Sequence, residues 1–489
     1  MNEYLEIILS ALLELVIQPF YWAGLLILLL YYRRQGILER KLFHIRLHGY
    51  GGYAARALLG GIGAGALVSL IMAGLGFTLT VQGATLLWVT ALVLLVFRIR
   101  FANFAYAVGV LGALQFVLRL IPGLPDEGAA GSILAALSGL NIAALLLLAA
   151  LLHLAESGLI AWQGKDFALP TYIPGKRGRP VGAYVLRMLW LAPTLLLVPA
   201  EGGPIGPLPW QPPLNTWLGL PEAASYTLLA LPVMLGMAEA TWTLLPERKA
   251  ARAARRGLMF GAALLVLALG AVFWPPMTVI AAVAGIVLRE ALIRDGVREE
   301  DGQPAMYAHS GRGLKILAVQ PGSPAEDMGI LPGETLLKVN GLPVGTTQQM
   351  HEALRINSAF CKLEVQNRRG DSKFLQRPIY AGDHHQLGFV FAPDASSASE
   401  QPFRPLSLPG LWSVQAEQGR GASESLQLPA AALPAPRGGE EKPAEPQPAD
   451  RLPRSEAAAD PAQREVAEQV SSNEQQPLPN QPDKTEFSQ

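Results

Sequence analysis

The chain has 489 residues, with 39 Lys and Arg balanced by 39 Asp and Glu. That balance excludes a global polyelectrolyte role, and nucleic acid is not an expected partner. Its one cysteine, Cys361, excludes an internal disulfide, a CxxC redox pair and a thiolate zinc cluster.

In chain order, the first thirty residues lack the basic start and small-residue cleavage site of a signal peptide. Glu3 and Glu6 stand at the head, and the segment is expected to remain as an anchor. A helix needs roughly 20 apolar residues to cross a bilayer. Nine stretches approach that length, near 12–32, 57–76, 78–97, 101–121, 133–153, 184–199, 226–245, 258–274 and 277–293. Their connections alternate in charge. Arg33, Arg34, Arg40, Lys41, Arg46 and Arg56 are followed, at every second connection, by Arg98 and Arg100, by Lys165 to Arg187, by Arg248 to Arg256, and by Arg289 to Arg298. The intervening connections, such as "FTLTVQG" and "EGGPIGPLPWQPPLNTWLGLPEAAS", carry no Lys or Arg. By the positive-inside rule this places the N-terminus outside and everything after about residue 294 in the cytoplasm. The last pair reads either as a helical hairpin turning at Pro275-Pro276 or as a single longer or re-entrant element, so the expectation is a polytopic bundle of seven to nine helices over residues 1–294.

Ionisable residues inside spans are functional candidates in lipid. Glu14, Arg119, His153, Glu156 and Glu239 qualify, against the plainer reading that they snorkel at span ends or pair within the bundle. Glu239, beside Thr241 and Thr243, is the strongest of them. Pro193 and Pro232 interrupt spans, but no internal repeat of the kind found in transporters accompanies them.

Residues 305–392 read as a small α+β module. "GLKILAV" has the apolar run of a buried strand and ends at Pro321-Gly322. Ser323, Pro324 and Glu326 form a capping signature for a short helix, and Gly329 stops it. "ETLLKV" is a strand closed by Asn340-Gly341. Thr346 and Gln349 make a second capping box, before a helix with Met350, Ala353 and Leu354 on its apolar face. "FCKLEVQ", "KFLQRPIY" and "LGFVF" follow as strands, and the first of them buries Cys361 as a core thiol rather than a nucleophile.

This order, and above all "PGSPAEDMGILPGETLLKVNG", resembles a PDZ domain. The resemblance implies binding of an extended peptide beside a strand edge, its terminal carboxylate cradled by a Gly-containing loop. Two loops have the glycine. Gly311-Arg312-Gly313-Leu314 runs into the wrong strand for the family, whereas Leu387-Gly388-Phe389 has the right form for a circularly permuted version. The second is preferred, with Gln349, Ala353 and Ile356 as the opposite groove wall; its plainer reading is an ordinary core strand. A bulky residue at Gly388 is then expected to abolish peptide binding without unfolding the module. His384-His385 lacks further ligands at metal spacing and reads as a loop position. Residues 393–489, rich in Pro, Ala, Gln and Glu, are expected to be disordered, with Trp412 in a short apolar island.

No HExxH is present, since "HLAES" at 153–157 lacks the second His, and no Gly-x-Ser-x-Gly turn occurs, so no enzyme, cofactor or metal is expected. A transporter, or an accessory subunit of a membrane protease, is the alternative to a scaffold. "QPFYW" near the start, "LRINSAFCKLEV" and "HHQLGFVF" together resemble the MinJ family of cell-division topological determinants. That resemblance, covering residues 1 to about 392, implies a multi-pass protein of the bacterial cell membrane, enriched at septum and poles. It also implies partners: DivIVA-like and MinD-like proteins, the latter acting with MinC, besides division-machinery membrane proteins and membrane lipid. The long tail departs from the family's compact ending.

Overall fold

A computed structural model describes residues 2–393, apart from short stretches at 44–48, 98–100, 102, 123–126, 176–178, 209, 219–222, 309–310, 358 and 379–386. The tail beyond 393, with Trp412, and the pair His384-His385 lie outside the described residues.

The chain opens with α1 (Asn2–Ile17) and α2 (Pro19–Phe43), which meet at a 64° bend. Pro19 sits at the first position of α2, where its missing N–H is harmless, and its ring stops α1 from running on. Next come α3 (Tyr50–Leu75), α4 (Val81–Phe97), α5 (Phe104–Leu120), α6 (Gly128–Ser138) and α7 (Ile142–Gln163). Asn103 and Asn141 cap α5 and α7 by accepting the N–H of Ala105 and Ala144. The stretch expected as one span near 133–153 is therefore broken between α6 and α7. Among the described helices, three are long and apolar enough to cross a membrane, in Gly51–Leu75, Ile142–Gln163 and Pro246–Phe273; the bent α1–α2 pair makes a fourth if it is a single span. Helices α4 and α5 are apolar but have 17 residues each.

The main departure from the sequence reading follows α7. The stretches expected as helical spans at 184–199 and 226–245 are strands. β1 (Ala168–Pro174), β2 (Pro180–Pro199) and β3 (Tyr226–Thr241), with the short α8 (Pro213–Leu218) between the last two, form an antiparallel sheet in the order β1-β2-β3. Hydropathy does not distinguish a buried strand from a helix of equal apolar length. The prolines do. Inside a helix each costs about 3 kcal/mol, whereas here Pro193 faces Pro232 across the ladder.

The backbone hydrogen bonds show why that pairing is tolerated. Along the side of β2 away from β3, Gln35 Nε2 donates to the Arg187 carbonyl at 3.2 Å, and the Tyr32 hydroxyl both donates to and accepts from Leu189, at 2.9 and 3.1 Å. Ser69 Oγ accepts the Leu195 N–H at 2.8 Å, and the Leu79 N–H donates to the Leu197 carbonyl at 3.0 Å. Odd-numbered residues of β2 thus point their backbone groups away from β3, and Pro193 is one of them. Pro193 and Pro232 form a non-hydrogen-bonded pair, so neither removes a ladder bond. The same contacts satisfy a sheet edge that would otherwise be exposed. Helix α3 lies close enough to do this because Gly61 and Gly65 have no side chains; a Cβ would fall 2.2 Å from the Leu191 carbonyl oxygen and 2.3 Å from that of Pro193.

Helices α9 (Pro246–Phe273) and α10 (Met277–Asp301) lead into the module. It comprises β4 (Leu314–Val319), α11 (Pro324–Asp327), β5 (Thr335–Val339), β6 (Leu342–Pro343), α12 (Thr347–Arg355), β7 (Phe360–Gln366), β8 (Ser372–Pro378) and β9 (Phe389–Phe391). The sheet runs β8-β7-β5-β4-β9, with β6 paired to β5. Local signals hold as read. Ser323 accepts the Glu326 N–H while Glu326 reaches back to the Gly322 N–H, and Thr346 with Gln349 forms a complete capping box.

The module has its own core, including Ile316, Ala325, Leu336, Val339, Val365 and Cys361. Burial pushes the Cys361 thiol up to about 11. Alkylation of Cys361 by iodoacetamide at pH 8 is expected to be at least about 100-fold slower in the folded protein than in urea. Rapid native labelling, followed by mass shift, would place the thiol at the surface instead.

Candidate peptide-binding site

Two hydrogen bonds fix the orientation of β9. The Gln320 N–H donates to the Gly388 carbonyl, and the Ala392 N–H donates to the Lys315 carbonyl, both at 2.8 Å. Gly388 and Ala392 therefore face β4, and by alternation Phe389 and Phe391 turn their backbone groups to the outer edge. Strands β8 and β9 are the two ends of the sheet among the described strands, and the edge weighed for an added strand is that of β9, which follows directly on Leu387-Gly388. The Phe389 and Phe391 side chains pack beside the module's core, while Val390 and Ala392 join the core of the N-terminal region.

Leu387 and Gly388, directly before β9, are tightly held. Leu387 is buried, and its carbonyl accepts the Ala325 N–H at 3.0 Å. Gly388 has φ +85°, and a Cβ there would lie 2.2 Å from the Ser323 Cβ. The expectation that a bulky Gly388 variant keeps its fold is thereby corrected. The other loop weighed, around Gly313, leads into the interior strand β4, and a Cβ on Gly313 would meet the Leu336 carbonyl oxygen at 2.5 Å.

The residues proposed for the opposite wall do not share an exposed face. Ala353 is 1% exposed and belongs to the core beside Met350. Gln349 is exposed, but its Oε1 accepts the N–H groups of Gly345 and Thr346. Ile356, at the end of α12, is the exposed apolar one of the three. By helical spacing positions 349, 353 and 356 fall within about 60° of one another, but Ala353 stands on the side nearest Met350 and is covered by the module's core.

Sequence reasoning missed three tyrosines that seat the module on the N-terminal sheet. The Tyr172 hydroxyl donates to the Phe391 carbonyl at 3.1 Å, and the Tyr184 hydroxyl donates to the Leu317 carbonyl. The Gly182 N–H donates to the Tyr307 carbonyl at 3.0 Å, and the rings of Tyr184 and Tyr307 meet edge to face at 5.5 Å. Each lies far in sequence from its partner, and only the tyrosine at 184 falls in a stretch the hydropathy reading had singled out.

The polar candidates of the N-terminal region have partners or lie exposed. His153 Nδ1 and Glu156 Oε2 are 2.8 Å apart and buried, whereas Glu14 and Arg119 are exposed. Glu239 lies 3.2 Å from Lys249 Nζ, which also contacts Glu300 at 3.1 Å. Glu300 Oε2 in turn accepts from the Trp242 and Thr243 N–H groups and from the Thr243 hydroxyl. The best functional candidate of the spans is thus part of a clamp joining the end of β3 to the start of α9 and the end of α10. Among the described residues, no group of three or more His, Cys, Asp or Glu is placed to hold a metal ion.

Residues 315–363 match the PDZ domain family, taking in most of the module from β4 into β7. Over 385 residues the chain is 28% identical to the cell division topological determinant MinJ of Bacillus subtilis (strain 168), covering 77% of this chain and 93% of that protein. This is a MinJ-like protein with a PDZ domain. Probable cell division topological determinants MinJ of Lacticaseibacillus paracasei and of Lacticaseibacillus casei (strain BD-II) are each 27% identical to the MinJ-like chain over 346 residues, 69% of it and 85% of theirs. No solved structure matches it. In MinJ-like terms the molecule is a helical N-terminal region with several apolar helices, followed by a β-rich PDZ module.

Proposed function

We propose that the protein is a non-enzymatic membrane scaffold that takes part in placing the division site. The observation that carries this reading is the combination of a PDZ match with relatives named as cell division topological determinants across most of the chain. In this reading the apolar helices cross the membrane several times and concentrate a peptide-binding module at its inner surface, where weak contacts gain strength through high local concentration.

The cytoplasmic side for the module is supported by the Lys- and Arg-bearing connections. Replacing two expected spans by a paired hairpin of strands leaves the parity of crossings unchanged, because the two are lost together. The chain bridges a DivIVA-like protein at poles and septa to a MinD-like inhibitor, which works with MinC, and it contacts other membrane proteins of the division machinery. The module is a circularly permuted PDZ domain, with β9 supplying the strand beside the peptide and the preceding loop cradling its carboxylate. The Pro-, Ala-, Gln- and Glu-rich segment beyond residue 393 leaves room for a further partner.

A fluorescent fusion of the full chain is expected to gather at septa and poles in its host and to disperse when the DivIVA-like protein is deleted. Even fluorescence around the whole membrane in otherwise normal cells would rule the reading out.

A further inference from the structure

A strand added beside β9 needs the outward backbone groups of Phe389 and Phe391, because β4 already takes the alternate residues. These two positions are successive rungs of one ladder. The Phe391 carbonyl is already an acceptor for Tyr172 of β1, at 3.1 Å. A peptide whose terminal carboxylate rests at Gly388 runs antiparallel to β9, so it meets Phe389 first and Tyr172 at the next rung.

We propose that Tyr172 is a competitor built into the chain: its hydroxyl holds the second rung of the peptide edge, and an extended peptide gains that rung only by displacing it. The inference rests on reading β9 as the peptide-binding edge. Displacement removes one contact that seats the module on the β1–β2 sheet, so occupancy of the edge is coupled to how firmly the module is held. The remaining contacts lie elsewhere. Tyr184 holds the carbonyl of Leu317, at the irregularity between Ile316 and Ala318 of β4, and Gly182 holds Tyr307 ahead of β4. They keep the module in place when Tyr172 lets go. The arrangement favours ligands that bond at Phe389 alone over those that need the full ladder, unless the longer peptide offsets the lost tyrosine contact.

The test uses the full chain in lipid nanodiscs and fluorescein-labelled octapeptides of degenerate sequence ending in a free Val, Ile, Leu or Phe. Binding is read by anisotropy for the wild type, Tyr172→Phe and Tyr184→Phe, with Cys361 labelling checked to be unchanged in each. Tyr172→Phe is expected to bind about 3- to 10-fold more tightly, the range that one hydrogen bond supplies, with Tyr184→Phe within about twofold of wild type. Equal binding by Tyr172→Phe and wild type overturns the competitor and leaves the peptide edge standing. Equal gains in both variants mean that seating in general, not the Phe391 rung, controls access, which also overturns it. No binding by any of the three overturns the edge reading together with the inference.

Discussion

Replacing Lys249 with Met is expected to lower stability by about 3–5 kcal/mol, the cost of leaving a buried charge without its partner. Lys249 and Glu300 are each 1% exposed, and their side chains meet at 3.1 Å. Burial alone would raise the Glu300 carboxyl, but the Lys249 ammonium and the hydrogen bonds of Thr243 and Thr241 hold it below the usual carboxylate range. Lys249→Met removes the ammonium and leaves the carboxylate with neutral donors only. In detergent the loss should appear as a fall in Tm of roughly 10 °C. The double variant Lys249→Met/Glu300→Gln should recover much of it, since the amide oxygen still accepts from Thr243 and no charge is buried. A single variant as stable as wild type would mean that water reaches Glu300.

The sign of the pH dependence follows from the same group. A carboxyl whose folded value is lowered stabilises the fold above its unfolded value of about 4.3 and loses that contribution as pH falls through the folded value. Acid below about pH 4 should therefore weaken the wild-type clamp, while the variant lacking Lys249, left with the neutral donors alone, has less of this contribution to lose.

Gly388→Val is expected to open the PDZ module rather than merely to block its ligand. The backbone there has φ +85°, a region costly for side chains and most of all for β-branched ones. A Cβ would also fall 2.2 Å from the Ser323 Cβ, at the cap of α11. Left-handed strain of about 1–2 kcal/mol and overpacking of about 1–3 kcal/mol together raise the open population by at least about 30-fold. Cys361 reports this directly, because its buried thiol reacts only when the module opens: native alkylation should accelerate by a similar factor. An unchanged rate in Gly388→Val would show that Ser323 yields without loss of the module, restoring this position as a clean probe of peptide binding.

The PDZ module was legible because its signals are local. Ser323 with Glu326, Thr346 with Gln349, and the turns at Pro321-Gly322 and Asn340-Gly341 each specify backbone geometry within a few residues. The alternation of "FCKLEVQ" correctly buried Cys361, Leu363 and Val365. Assigning Ala353 to a groove wall failed because its place in the core depends on which side of α12 the sheet covers, a question decided by strands distant in sequence.

By itself, the sequence determined where apolar chain lies, where helices and turns of the module begin and end, and which family it resembles. Only the tertiary structure decided that 184–199 and 226–245 are strands. Their apolar content suits either state, and strand form became stable once Tyr32, Gln35, Ser69 and Leu79 supplied partners for the open edge of β2 and α3 offered Gly61 and Gly65 for close contact. It likewise decided that Glu239 pairs with Lys249 and that Tyr172 reaches Phe391. Such pairings join residues that periodicity treats as unrelated, because backbone hydrogen bonds and buried charges must be satisfied in space, whatever their separation along the chain.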